Sequence, residues 1–168
     1  MHIIRPEQPE DIPAIRDVNQ SAFEAVTEAD LVDILRQQAR LIVSLVAVSS
    51  DAVVGHILFS PVTLSSHPDL EIMGLAPMSV VPGMQRRRIG SDLVRAGLEQ
   101  CRRLGSVAVV VLGHPGYYPR FGFTPASGFG LTSEYDVPDD VFMALELEAG
   151  ALRGRHGTIR YHPAFASV

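Results

Sequence analysis

Between residues 71 and 112 the apolar rhythm of the chain changes twice, and few folds accommodate both changes. Glu71 to Val81 is an extended run, rich in apolar side chains but interrupted by Gly74 and Pro77. From Ile89 the repeat becomes helical: Ile89, Leu93, Gly97, Cys101 and Leu104 fall on one apolar stripe, with Gly105 placed to cap its end. Ser106 to Leu112 is then almost wholly Val, Ala and Leu, as expected of a strand covered on both faces. Strand, turn, helix and parallel strand make a βαβ-like unit with a right-handed crossover. Proline cannot donate to a strand ladder, so the first of these strands is expected to bend or bulge near Pro77.

The rest of the chain supplies partners for that unit. A short strand is expected from Ile3 to Arg5, followed by a helix on which Ile12, Ile15, Val18 and Ala22 recur at helical spacing. Pro9, Glu10 and Asp11 suit its start. Thr27 and Asp30 form a capping-box-like pair before Leu31, Ile34 and Leu35, which predicts a second helix. Strands follow at Leu41 to Val48 and Val53 to Ser60, turning at Ser50-Asp51, and further strands are expected at Phe142 to Leu147 and Thr158 to Tyr161. The reading is one α/β (α+β) domain over residues 1–168, with helices packed on a mixed sheet.

Composition narrows the function. With 46% hydrophobic residues the chain can bury a real core, and a net charge of −5 disfavours nucleic acid or an anionic membrane as a partner. Cys101 is the single cysteine, which excludes an internal disulfide and places it on the core stripe rather than as a nucleophile. The six histidines lack metal-site spacing, so no metal is assigned. No signal-peptide core or membrane-length apolar run is present, so a cytoplasmic protein is expected. All 14 basic residues are arginine, so no lysine is available for self-modification.

The chemistry concentrates in the segment between the strand and the amphipathic helix, Val80-Val81-Pro82-Gly83-Met84-Gln85-Arg86-Arg87-Arg88-Ile89-Gly90-Ser91. The first N–H groups of a helix lack intrahelical partners and sit at the positive end of its dipole, a natural diphosphate site. Arg86, Arg87 and Arg88 add charge and forked donor geometry; read by spacing alone, they are equally a solvated basic tip. No Gly-Lys-Ser/Thr follows, which disfavours nucleotide hydrolysis.

This stretch resembles motif A of the GNAT superfamily of N-acetyltransferases, Gln/Arg-x-x-Gly-x-Gly/Ala. Gln85 and Gly90 match its first and last fixed positions, while Arg88 stands where the first glycine belongs. An arginine there is expected to require a negative φ. Gly74 to Val80, Val111-Leu112-Gly113-His114-Pro115, Tyr117-Tyr118-Pro119-Arg120-Phe121-Gly122-Phe123 and Arg160 to Phe165 are similar to the YhbS-type group of predicted acetyltransferases.

The resemblance implies a mixed, splayed sheet of about six or seven strands flanked by about four helices. It implies transfer of the acetyl group of acetyl-CoA, as donor cosubstrate, to a small-molecule amine or a protein N-terminus. Met78, Ser79 and Val80 would offer backbone to the pantetheine arm, and Gln85, Arg86, Arg87, Arg88, Ile89, Gly90 and Ser91 would hold the pyrophosphate. Tyr118, placed before Gly122-Phe123 as the family's tyrosine is, would be the general acid, with Tyr117 one residue off register. Glu71 and His114 are weaker candidates for the base, and Glu24 and Glu28 for amine binding. A homodimer is compatible with the resemblance. The alternative is a non-catalytic acyl-CoA-binding module of the same fold.

Overall fold

The computed structural model describes residues 1–167. Nine strands form a single sheet, with β1 (Ile3–Pro6), β2 (Val43–Ser49), β3 (Ala52–Leu64), β4 (His67–Val80), β5 (Ala108–Leu112), β6 (Thr124–Pro125), β7 (Leu131–Ser133), β8 (Phe142–Glu146) and β9 (Gly157–Arg160). The main path runs β1-β2-β3-β4-β5-β8-β6, and β9 pairs with β3 and β7. Pairing is antiparallel except between β4 and β5 and between β7 and β9. Three α-helices, α1 (Ile12–Phe23), α2 (Thr27–Gln38) and α3 (Ile89–Arg103), pack on this sheet, and short 3₁₀ turns punctuate the loops.

The two faces of the sheet are separated by strand alternation. Leu45, Ala47, Ile57 and Phe59 join Leu93, Val94 and Cys101 of α3 in one core. Val46 and Leu58 point the other way, into a core with Ile15 of α1 and Leu31, Val32 and Leu35 of α2. Helix α3 lies close on the sheet because Gly97 has no side chain: a Cβ there would stand 2.2 Å from the Phe59 ring. It ends as its sequence anticipates, with Gly105 at φ 90 and the Ser106 N–H bonded to the Cys101 carbonyl at 3.0 Å. Leu104, assigned to the buried stripe, is instead 56% exposed, because the helix has closed by then and the last turn faces solvent. Cys101 is fully buried, and burial pushes its thiol up to about 12.

Three other details depart from the sequence reading. The β3–β4 hairpin is longer than expected, since β3 runs past Ser60 to Leu64 and β4 begins at His67, with Pro61 paired to Met73 and Val62 to Ile72. The Thr27–Asp30 capping box does not form: the N-cap is Val26, with no side-chain cap bond, and Asp30 turns outward to Arg16 at 2.7 Å. β6 and β7, at two and three residues, are too short to carry a periodicity. The expected interruption of β4 is present. Leu58 stands opposite an irregularity, since Ile57 pairs with Met78 but Phe59 already pairs with Leu75, so that Ala76 and Pro77 together face Leu58 and β4 carries one residue in excess.

That irregularity sits where the sheet opens. β4 and β5 are paired in parallel from Ile72–Ala108 to Leu75–Val111 and no further. β5 continues beside β8, with Leu112 opposite Phe142. β4 continues beside β3, with Met78, Ser79 and Val80 opposite Ile57, His56 and Gly55. Residues 76–80 therefore have no strand on their β5 side among the described residues.

Candidate active site

The opening between β4 and β5 is one end of a cleft of about 1120 Å³. The splayed stretch from Leu75 to Val80 forms its floor, and the turn into α3 forms one wall through Met84, Gln85, Arg86, Arg88, Ile89, Gly90 and Ser91. Leu112, Gly113, His114, Tyr117, Tyr118 and Arg120 close the β5 side. Ala22, Phe23, Glu28 and Leu31 of α1 and α2, with Phe165, form the opposite wall, and Val141 stands beside Gly113 on the β5 side. Strand floor, turn and tyrosine loop, expected from separate sequence signals, thus share one cavity.

The turn is built around two left-handed residues. Arg86 has φ 65 and Arg88 φ 66, while Arg87 between them is not in that region. The expectation of a negative φ at Arg88 is overturned: the arginine keeps the left-handed conformation that glycine would take. Such geometry costs an L-residue about 1–2 kcal/mol, and it persists because the surrounding bonds fix the chain. The Gln85 side chain donates to the Val80 carbonyl at 3.1 Å, tying the turn to β4. The Arg88 carbonyl accepts from the Asp92 N–H at 3.0 Å as α3 begins. Alternating handedness turns neighbouring N–H groups toward a common point, an anion-binding arrangement that adds to the helix dipole. Arg86 and Arg88 are exposed and line the cleft, whereas Arg87 is exposed and does not.

The tyrosine pair divides its work. The Tyr118 ring packs edge-on to Phe123, with centroids 5.7 Å apart, and leaves room only for a glycine at 113, where a Cβ would lie 2.3 Å from the ring. Burial, with Tyr117 beside it, pushes the Tyr118 phenol up to about 12, so it stays protonated across the neutral range. Tyr117 reaches the other wall: its hydroxyl lies 3.4 Å from Ser91 Oγ and would be 3.1 Å from a Cβ at Gly90. Arg120 stacks on the Tyr117 ring at 4.5 Å. The off-register tyrosine is therefore the one that touches the start of α3.

Of the remaining candidates, His114 lines the cleft and is exposed, while its carbonyl accepts the Tyr117 N–H at 3.1 Å. Glu71 lies outside the cleft and pairs with Arg40 at 2.9 Å. Glu24, exposed at the left-handed end of α1, also lies outside it; Glu28 lines it.

Sequence reasoning missed a chain of polar side chains beneath the β4 floor, buried at Ser79, Asn19 and His56 and half-buried at Ser44, Glu7 and Arg36. Ser79 Oγ donates to Asn19 Oδ1 at 3.0 Å, and Asn19 Nδ2 meets the Ile15 carbonyl at 3.0 Å and His56 Nδ1 at 3.3 Å. His56 Nε2 lies 2.9 Å from Ser44 Oγ, and the Ser44 hydroxyl donates to Glu7. Arg36 completes the chain with forked bonds to Glu7 at 2.7 and 3.0 Å. Asn19 and His56 are fully buried.

With Asn19 donating to Nδ1, the neutral His56 carries its proton on Nε2 and donates it to Ser44, so the bonds from Ser79 through Asn19, His56 and Ser44 all run toward the Glu7 carboxylate, while the second Asn19 N–H is taken by the Ile15 carbonyl. Burial lowers the His56 pKa to about 4, against the pull of Glu7 and helped by Arg36. Burial opposes ionisation of Glu7, but hydrogen bonds from Arg36 and Ser44 outweigh it and hold the carboxyl below the usual range. A histidine in the apolar run from Val53 to Leu58 was the one available signal.

Comparison with known proteins agrees with this geometry. The acetyltransferase (GNAT) domain family matches residues 3–126. The uncharacterized N-acetyltransferase YhbS of Escherichia coli K12 is 35% identical over 164 residues, covering 97% of this chain and 98% of its own. YjhQ of the same organism, also an uncharacterized N-acetyltransferase, is 41% identical over 134 residues, 77% of this chain and 74% of its own. The crystal structure of E. coli YhbS in complex with CoA superposes with a TM-score of 0.93 at 35% identity, over 98% of this chain and 92% of that one. A Brucella melitensis GNAT family acetyltransferase in complex with acetyl-CoA gives 0.81 at 36% identity, over 98% of both chains. Sequence, strand order and the opened sheet converge, and the chain belongs to the GNAT family of acetyltransferases.

Proposed function

We propose that this chain transfers the acetyl group of acetyl-CoA to a primary amine that attacks the thioester directly. The observation that carries the reading is the parting of β4 from β5 after Leu75–Val111, which opens unpaired backbone directly onto the arginine turn of α3 in one cleft. That sequence of groups matches an elongated amide-bearing arm ending in a diphosphate, and two relatives at 35 and 36% identity are complexed with CoA and acetyl-CoA. Met78, Ser79 and Val80 would hold the arm through backbone groups. The N–H groups of Ile89, Gly90 and Ser91, with Arg86 and Arg88, would hold the pyrophosphate, and Gln85 would brace the turn.

Acetyl-CoA supplies an acyl carbon already activated as a thioester. A backbone N–H of the splayed β4 stretch would stabilise the negative charge that develops on the carbonyl oxygen. Tyr118 would donate to the departing sulfur. A phenol near 12 is a weaker acid than a thiol near about 8.5, so a strong hydrogen bond rather than complete proton transfer is its favoured role. The left-handed φ at Arg88 supports pyrophosphate binding at this turn, and turnover with an amine separates the transferase from the binding module.

The direct test is a calorimetric titration of the protein with CoA at low and high salt, followed by thiol release from acetyl-CoA over an amine panel. CoA is expected to bind, more weakly at high salt because arginines contact its phosphates. Absence of binding under both conditions defeats the transferase and binding-module readings together.

A further inference from the structure

The cleft is electrically asymmetric, and its acceptor end carries a charge with nothing to answer it. Arg86 and Arg88 stand where α3 begins, on one face of the sheet. On the other face, Glu28 in the first turn of α2 lines the cleft, and its Oε2 is buried without a hydrogen-bond partner among the described residues. Helix starts favour carboxylates, but that preference is met from the surface. Asp30 in the same turn is exposed and pairs with Arg16 at 2.7 Å, and Asp33 one turn later pairs with Arg16 and Arg36. Glu28 is the acid of this turn that points inward and has no such pair. A buried carboxylate oxygen without a donor is costly, and retaining one signals a cation that arrives from outside.

The surroundings of Glu28 describe the rest of that cation. Leu31 lies three residues on, on the same face of α2, and Phe165 packs into the core to which Leu31 belongs. Phe23 at the end of α1 lines the same cleft and adds apolar surface. We infer that this end of the cleft accepts a primary amine with an apolar body, whose ammonium group docks on the Glu28 carboxylate. Polyamines and sugar-based amines, which carry several polar groups, fit such a lining poorly. The inference rests on the acetyl-transfer reading, and it makes Glu28 a substrate-binding residue.

The test uses the full chain saturated with CoA and titrated calorimetrically with phenylethylamine and with phenylethanol, its uncharged counterpart. The amine is expected to bind at least about tenfold more tightly than the alcohol. Glu28→Gln keeps the shape and removes the charge. It should weaken amine binding by about 10- to 100-fold, abolish the preference over the alcohol, and leave CoA affinity unchanged. Asp30→Asn, in the same turn but facing Arg16, should change none of these values. Equal binding of amine by Glu28→Gln and the unmodified protein, equal binding of amine and alcohol, or binding of neither probe overturns the ammonium subsite while the CoA reading stands. Failure of CoA to saturate the protein overturns the acetyl-transfer reading and this inference with it.

Discussion

The two walls of the cleft are built on opposite principles. The α3 wall is an exposed turn whose charges come from consecutive residues, Arg86 to Arg88, shaped by two left-handed backbone positions. The α1–α2 wall is backed by a chain in which the buried Asn19 and His56 and the half-buried Ser44, Glu7 and Arg36 lie far apart in sequence and meet only in the folded state. The first can grip a charged ligand at the surface with side chains that water screens. The second spends burial to hold one orientation of Ser79 beneath the floor, and its polarity is set by a carboxylate at the far end. The difference shows how a single site can combine loose electrostatic capture with rigid positioning.

Acid should break the comparison most sharply, because His56 belongs to the second wall. His56 is neutral in the native state with a pKa near 4, against about 6.5 when unfolded, so its contribution is fully present above about 6.5 and lost as pH falls toward 4. The loss amounts to about 3 kcal/mol, and the lowered Glu7 adds to it below the ordinary carboxylate range. Urea unfolding at pH 7, 5.5 and 4.5 measures this decline. In His56→Gln the slope between pH 6.5 and 4.5 should largely vanish, and persistence of the full slope would assign it to other groups.

Next in size is Tyr118→Phe, which should lower kcat about 10- to 100-fold with CoA affinity nearly unchanged. Since the phenol lies near 12, any alkaline limb of the pH–rate profile below about pH 10 should survive the substitution. Tyr117→Phe should do the reverse, weakening CoA a few-fold through the lost contact at Ser91 and sparing kcat. A larger loss of turnover from Tyr117→Phe would exchange their roles.

The smallest effect sharpens the account of the exposed wall. Arg88→Gly should weaken CoA binding by about tenfold through loss of the guanidinium. The thermal midpoint should stay level or rise, because glycine takes φ 66 without the strain an arginine carries. Tighter CoA binding would show that Arg88 merely tolerates its position.

The same division decides what the sequence could tell. The arginine turn and the Pro77 interruption are local patterns of neighbouring residues, and the family resemblance pointed to Tyr118; all of them line one cleft except Arg87. The α3 stripe was legible for the same reason, up to Leu104. The polar chain was not, since Ser44 and His56 read as isolated polar residues in strands and Asn19 as one polar position beside an apolar helix face. Only the β2–β3–β4 register and the seat of α1 bring them together. Arg88 was misread because left-handed geometry is a property of the turn, held by Gln85 and the start of α3, whereas a residue with a Cβ ordinarily avoids it.

The parting of β4 from β5 has a consequence for the protein's behaviour in a crowded solution. Unpaired strand edges invite other chains to add to them, and proteins usually guard such edges at the rim of a sheet. Here the open edge lies in the middle of the strand order, between β3 and the diverging β5, and its residues line a walled cleft. Backbone donors and acceptors at residues 76–80 are therefore reachable by a slender ligand entering the cleft but shielded from the broad, flat approach of a foreign strand. The protein keeps the recognition power of a bare edge while withholding it from the association that bare edges promote.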